Sequence, residues 1–369
     1  MSGTSRIPFF GIDRQYANIR EEILDASDQV YKSGQVLDGQ FTDLFQLTIR
    51  KMTERKYAVA VNSGTQALIF ALRSITDSRR NKVLIPAVSF IATVNSVIEA
   101  GFDPVFCDVD PVTGLIDLNK IPVHVDELAA VVYVNLYGNI IDYDKLTAYR
   151  TLWADYDIPV IEDAAQSFGA YYRGHPSGKL GDISCLSFDP TKNLNNYGSG
   201  GMVLTDDPDV VDAVADYHNN GKYSDHSAPG TNSRMSEADC AQMLVKLKYF
   251  DQWQTRRQAI ADYYSSNLYS YVDCVLPKPD VVSAWSKYVI RLTSRHGLRS
   301  HLSNNGIETK IHYDKPLYEL PVGYSYTSFN NPCKEAHAFT RECMSLPIYP
   351  ELTDAEVEYV VKCVLDYMR

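Results

Sequence analysis

In the stretch "SFDPTKNLNNYGSGGMVLTDD", residues 187–207, Lys192 stands in a short hydroxyl-rich turn and is followed by Gly198, Gly200 and Gly201. Upstream, "VIEDAAQS" offers Asp163 with Gln166 three residues on, "VNSGTQAL" offers Ser63, Gly64 and Thr65, and "IPAVSFIATVN" offers Phe90. An amine, a carboxylate, a small hydroxyl-bearing turn and an aromatic ring are the parts that pyridoxal phosphate chemistry needs. The lysine amine forms a Schiff base with the cofactor aldehyde, and the carboxylate keeps the pyridine nitrogen protonated so that the ring accepts carbanion electrons. Backbone N–H groups at a helix start take a phosphate, a role open to Ser63, Gly64 and Thr65, with the hydroxyl of Ser187 just upstream of the lysine. Phe90 would stack on the ring. Singly, each part has a plainer reading: a loop lysine is usually a solvated charge, an N-S-G-T turn a helix cap, Asp163 a cap or metal ligand, and a glycine run a turn. Their joint order, each at a strand end, is what points to the cofactor.

The elements that must carry these residues are legible as seven short apolar runs: "YAVAV" (57–61), "KVLIP" (82–86), "PVFCDV" (104–109), "AAVVYVN" (129–135), "PVIED" (159–163), "ISCLSF" (183–188) and "GMVLT" (201–205). Most are continuous rather than alternating, which predicts strands covered on both faces of a mainly parallel sheet. Ligands of such sheets gather at the carboxyl ends of the strands. Helical periodicity predicts helices over 65–75 and 92–100 and one long helix over 236–268 that bridges two domains. After it come a strand over 287–293, a helix near 297–305 and a last helix over 353–368, with Thr353 and Glu356 as a capping box. The expected organisation is a large cofactor domain, residues 1–250, and a smaller C-terminal α/β domain, residues 251–369, with the boundary inside the long helix.

Bulk composition narrows the partners. The chain has 369 residues, is 45% hydrophobic and carries a formal charge of −11, so nothing electrostatic favours nucleic acid or an anionic membrane. No run approaches the roughly 18 apolar residues of a membrane span, and the N-terminus lacks the apolar core of a signal peptide. The seven cysteines are odd in number and show no ligand-like spacing, which fits a reducing cytoplasm.

With these pieces in order, the sequence resembles the sugar-nucleotide aminotransferases of the DegT/StrS family, of pyridoxal phosphate fold type I. The resemblance runs over nearly the whole chain through "NSGTQAL", "SFIATVNSVIEAGFDPVFCDVD", "NLYG", "VIEDAAQSFGA", "SFDPTKN…GSGGMV", "GTNSRMSEADCAQMLVKL", "GIETKIHYDKPLY" and "LPIYPELTDAEVEYVV". It implies that Lys192 is the Schiff-base lysine and proton shuttle, that Asp163 pairs with the pyridinium, and that Gln166 lies near the phenolic oxygen. Phe90 is implied on the ring, Gly64, Thr65 and Ser187 on the phosphate, and Asn232 on the phosphate of the other subunit of a homodimer. Tyr137, His312 and Tyr313 are implied on the substrate side. Three positions depart from the family pattern, since Asn135, Tyr318 and Tyr349 stand where members commonly carry histidine; the resemblance implies that these positions line or support the sugar side, Tyr318 foremost.

The resulting expectation is amino transfer from an amino acid, glutamate, to a keto group of a nucleotide-linked deoxysugar, with no metal. The "NYGSGGM" segment leans toward a 3-keto sugar, and a 4-keto sugar is the alternative. A sugar dehydratase of the same family replaces the lysine with histidine, so Lys192 argues against it; a regulatory homologue without catalysis would be expected to lose Lys192 or Asp163. A nicotinamide site is disfavoured because the glycines run directly into a strand, whereas a dinucleotide site wants G-x-G-x-x-G between strand and helix.

Overall fold

The computed structural model describes residues 6–75, 80–326 and 333–369. All seven apolar runs form strands of one sheet: β1 (Tyr57–Val61), β2 (Lys82–Pro86), β3 (Asp103–Cys107), β4 (Leu128–Val134), β5 (Val160–Asp163), β6 (Ile183–Ser187) and β7 (Gly201–Thr205). Their spatial order is β1-β7-β6-β5-β4-β2-β3. Neighbours β3, β2, β4, β5 and β6 pair in parallel, while β7 runs antiparallel to both β1 and β6. The continuous runs are explained by double coverage. In β4 every residue is buried: Val132 and Val134 pack with Leu68, Phe70 and Val94 on one face, and Val131 and Tyr133 pack with Leu146 and Trp153 on the other.

This topology puts the ends of β1, β2, β4, β5 and β6 on one edge of the sheet, and β7 begins there. Gly201, its first residue, is registered against both Val61 and Ser187. A side chain on Gly201 would bring its Cβ to 2.4 Å from the Ser63 carbonyl carbon, so glycine is what lets the turn after β1 approach β7. The turn after β1 becomes the helix Gly64–Arg73, where Ser63 Oγ accepts from Gln66 N at 3.1 Å, a cap worth about 1 kcal/mol. The second expected helix is Ile91–Glu99, with Phe90 at its N-cap.

The helix expected over 236–268 is instead two, Glu237–Leu247 and Phe250–Leu268. At the joint, Lys248 N and Tyr249 N donate to Val245 O and Lys246 O, three residues back. Such i→i−3 bonds tighten and end a helix. Both side chains are drawn outward to Glu22, Lys248 Nζ at 2.8 Å and the Tyr249 hydroxyl on the other carboxylate oxygen. Phe250 and Trp253 still pack with Phe168, Phe188 and Met243, while Ile260, Ala261, Tyr264 and Leu268 pack into a separate C-terminal core with Leu298, Met344 and Val360.

That core is closed by the strand Tyr288–Arg291, antiparallel to Asp273–Cys274 and Cys343–Leu346, and by the helices Arg295–Asn304 and Asp354–Met368. The capping box is present, with Thr353 Oγ1 accepting from Glu356 N at 3.2 Å and Thr353 N donating to Glu356 Oε2 at 2.9 Å. Two N-terminal helices had no sequence expectation, Ile12–Ser33 and Gln40–Met52. The second is capped from far away: the buried Glu237 carboxylate accepts from Gly39 N, Phe41 N and Thr42 N at 3.0, 2.6 and 3.1 Å, satisfying first-turn donors that have no partner within the helix.

Candidate active site

A cavity of about 360 Å³ lies at the strand ends. Its wall includes Ser63, Gly64 and Thr65 from the first helical turn, Phe90 after β2, Asp163 and Gln166 at and after the end of β5, Ser187 from β6, Lys192 from the following turn, and His312 and Tyr313 from the C-terminal part. All but the last two come from strand ends and short loops at one sheet edge, because parallel strands deliver their C-terminal loops to the same side.

Asp163 ends β5 and is buried. One carboxylate oxygen accepts from Ala165 N at 3.1 Å and the other from Thr93 Oγ1 at 3.4 Å, thin solvation for a charge. Burial therefore raises its carboxyl above the ordinary range, although the Ala165 N–H, the nearby Lys192 amine and the Thr93 hydroxyl pull the other way. Lys192 is held through its backbone, N to Asp189 O at 2.9 Å. Burial lowers its amine, against the opposing fields of Asp163 and Asp189. A carboxyl that burial pushes up and an amine that burial pushes down share one small space.

The helix-start turn at Gly64 is built by exclusion of side chains. A Cβ on Gly64 would lie 2.6 Å from Ser187 Cβ, so only glycine lets the helix start come this close to the serine. The N–H groups of Gly64 and Thr65, in the first turn, have no acceptor within the helix. Open donors, a hydroxyl, a cation-seeking carboxylate and a free amine are the donor set that a phosphorylated pyridine aldehyde requires, and the residues present fit it.

Gln166 joins the strand ends to the C-terminal part. Its Oε1 accepts from Tyr137 N at 2.9 Å, and its Nε2 donates to the Tyr313 hydroxyl at 3.2 Å. The Tyr137 hydroxyl donates to His312 O, and His312 Nδ1 meets Ser345 Oγ at 2.8 Å. Burial, reinforced by Lys287, Lys310 and Lys192, pushes His312 down to about 2, so its imidazole is neutral. The Phe90 and Tyr313 rings lie 6.0 Å apart at the rim.

Tyr137, buried behind Gln166 and His312, and four other expected residues lie off the cavity wall. Asn135 is fully buried and spends its amide inside the protein, Nδ2 to Glu162 Oε1 at 2.9 Å and Oδ1 from Ile141 N at 3.0 Å. Glu162 also takes Ser177 Oγ, Gly178 N, Leu180 N and Ser184 Oγ, so Asn135 belongs to a buried network that fixes the end of β5. Tyr349 is buried, with the Arg14 guanidinium 5.8 Å over its ring. Asn232 is exposed, its Oδ1 accepting from Arg234 Nη2 at 3.5 Å. Tyr318 packs edge-on to Phe106, ring centroids 6.0 Å apart, and its hydroxyl donates to Cys333 O at 3.3 Å. Tyr318→Phe is expected to leave both half-reactions unchanged and to cost about 0.5–1.5 kcal/mol, the worth of one neutral hydrogen bond; stopped-flow of each half-reaction with denaturant unfolding checks it, and a selective loss with the keto sugar would restore Tyr318 as a sugar contact.

The cavity also brings in residues with no sequence expectation. Phe10, Thr93, Lys287 and Lys310 line it.

A profile of the DegT/DnrJ/EryC1/StrS aminotransferase family matches residues 17–365. A dTDP-3-amino-3,4,6-trideoxy-alpha-D-glucose transaminase from Streptomyces venezuelae is 34% identical over 99% of this chain and 97% of its own length. A pleiotropic regulatory protein from Geobacillus stearothermophilus is 32% identical over 98% and 99%. In three dimensions the crystal structure of S. venezuelae DesV in complex with a ketimine intermediate superposes with a TM-score of 0.93 at 32% identity, covering 99% of both chains. Among the described residues, no helix is long and apolar enough to cross a membrane.

Proposed function

Because the chain belongs to the DegT/DnrJ/EryC1/StrS aminotransferase family, we propose that it moves an amino group from glutamate to the C3 keto carbon of a nucleotide-linked deoxysugar. The observation that carries the reading is the convergence of Lys192 and Asp163 on one cavity that also holds the Gly64–Thr65 turn. Pyridoxal phosphate is the cofactor, and when bound it supplies an electron sink for the carbanion formed at the reacting carbon. Gly64, Thr65 and Ser187 would hold the phosphate. Asp163 would hold the proton on the pyridine nitrogen through a charge-assisted bond. Phe90 would serve the ring face and Gln166 the phenolic oxygen. Lys192, whose charged form burial disfavours, takes the proton from the donor carbon and returns one during transfer to the sugar.

The position C3 is supported by the "NYGSGGM" segment and by the 3-amino sugar product named for the S. venezuelae relative. Likeness to a regulatory protein does not displace catalysis, because Lys192 and Asp163 are both retained. We place the boundary of the two domains at 250/251, the start of Phe250–Leu268. We place the enzyme in the cytoplasm, where its seven free cysteines stay reduced. The working form is a homodimer in which Asn232 of each subunit reaches the phosphate of the other; a monomer by light scattering that keeps full cofactor would contradict it.

The experiment is a panel of nucleotide keto sugars with glutamate as donor and the products identified by NMR. Nitrogen at C3 is the expected result. Amination only at C4 would overturn the regiochemistry, and amination of none would overturn the reading.

A further inference from the structure

Lys287 and Lys310 enter the cavity from the C-terminal part and are not accounted for by the cofactor. Their Nζ atoms lie 5.3 and 4.5 Å from the centroid of one ring, Phe10, so they are no farther apart than those two distances together. Neither forms an ion pair with a carboxylate among the described residues. Lys287 is buried, 6% exposed, and its ammonium meets only neutral oxygens, Ser286 O at 2.9 Å, Thr191 O at 3.3 Å and Ser286 Oγ at 3.4 Å. A buried ammonium without a counterion is costly, and burial together with the fields of Lys192, Arg257 and Lys310 lowers it well below its usual range.

The arrangement is held rigidly. Ile7 N donates to Gly306 O at 2.9 Å and Glu308 N to Ile7 O at 3.0 Å, and Phe9 N reaches Glu308 Oε2 at 3.0 Å. These bonds zip the N-terminal segment beside 306–310 and bring Phe10 to the cavity. On its other side, Lys310 exchanges backbone hydrogen bonds with Ser345, at 2.7 and 3.3 Å. In a chain of net charge −11, Lys310 and Lys287 place two amines without counterions at one ring, and an anion arriving there would bring the Lys287 amine back toward its charged form.

We propose that Lys287 and Lys310, flanking Phe10, form a subsite for the multi-oxygen anion that a substrate carries away from its reacting carbon. Two groups bear that chemistry, the diphosphate of a nucleotide sugar and the distal carboxylate of the amino donor. The cofactor phosphate is not the occupant, since it has its own cradle at Gly64, Thr65 and Ser187. The proposal rests on the aminotransferase reading for the identity of the two candidate sources. The anion itself rests only on the two amines.

The test uses the cofactor-loaded protein and two probes, inorganic pyrophosphate and glutarate, titrated by calorimetry into wild type, Lys287→Met, Lys310→Gln and Lys310→Arg. Removing either amine is expected to weaken at least one probe by about 10-fold or more, the scale of one hydrogen bond to a charged group, with the cofactor absorbance unchanged and with Lys310→Arg retaining affinity. Weakening of pyrophosphate assigns the diphosphate; weakening of glutarate assigns the donor carboxylate. Lys310 is exposed, so its variants fold even if Lys287→Met does not. Unchanged affinities in Lys310→Gln, a wild type that binds neither probe, or loss of cofactor from Lys310→Gln would each overturn the subsite. Failure of every keto sugar as substrate, with the probe results as expected, would instead remove the aminotransferase reading and leave the anion subsite standing.

Discussion

Lys192→Ala is expected to lower amino transfer by at least about 1000-fold, within the range contributed by a positioned general base, and to leave the fold intact. The turn around Lys192 is kept by backbone, Lys192 N on Asp189 O at 2.9 Å, and by Thr191 N and Oγ1 on Asp189 Oδ1 at 2.9 and 2.6 Å. The amine takes part in none of these bonds. What the substitution removes is a buried amine whose charged form burial disfavours, and the uncharged amine is the state a nucleophile or base must occupy. The wild-type protein should show a visible absorbance band that borohydride abolishes, and Lys192→Ala should lack that band while retaining bound cofactor through the phosphate contacts. Turnover near wild type in Lys192→Ala would remove lysine from the chemistry.

The strands were legible because burial on both faces leaves continuous apolar runs, as β4 shows. The cofactor side was legible because it uses residue types with few alternatives at strand ends: glycine where Ser187 presses on Gly64, a carboxylate ending β5, a lysine in the turn after β6. Lys287 was hidden because it leads the run "KYVIRLT", where a lysine reads as a solvated strand edge. Its burial arises only when Thr191 and Phe10 arrive from distant parts of the chain. Lys310 left a signal only in its place two residues before His312, within the segment "GIETKIHYDKPLY" that carries the resemblance. Asn135 was assigned to the sugar side because it stands where the family commonly carries histidine, but the network that claims its amide is centred on Glu162. Neighbours in a strand face opposite ways, so Glu162 turns away from the cavity that Asp163 meets. The break at Lys248 and Tyr249 left no mark in the periodicity, because both helices keep the same apolar phase while Glu22 draws the two side chains outward.

Asp163→Asn is expected to cut turnover by about 10²–10³-fold, the scale of removing one preorganised electrostatic contact to developing charge, with no loss of fold. Asparagine matches the carboxylate in shape and its carbonyl oxygen still accepts from Ala165 N, but it cannot hold a proton on a neighbouring nitrogen. A second signature separates this role from simple packing. Burial raises the Asp163 carboxyl above its unfolded value, so the folded, cofactor-free protein holds this proton over a window in which the unfolded chain, with aspartate near about 3.9, has lost it. The folded state binds more protons there, and its stability falls as pH rises through that window. The contribution is fully present below the unfolded pKa and lost above the folded one. The amide of the variant has no proton to lose, so the stability of cofactor-free wild type relative to Asp163→Asn should decline from about pH 4 upward and then level off. A cation beside the carboxylate brings its pKa back down, so the cofactor-loaded wild type should lose that decline. Melting temperatures across pH for the loaded and cofactor-free forms of both proteins measure it. A difference between cofactor-free wild type and variant that does not change with pH would mean that Asp163 is not a buried carboxyl awaiting a cation, and its assignment to the pyridine nitrogen would fall with it.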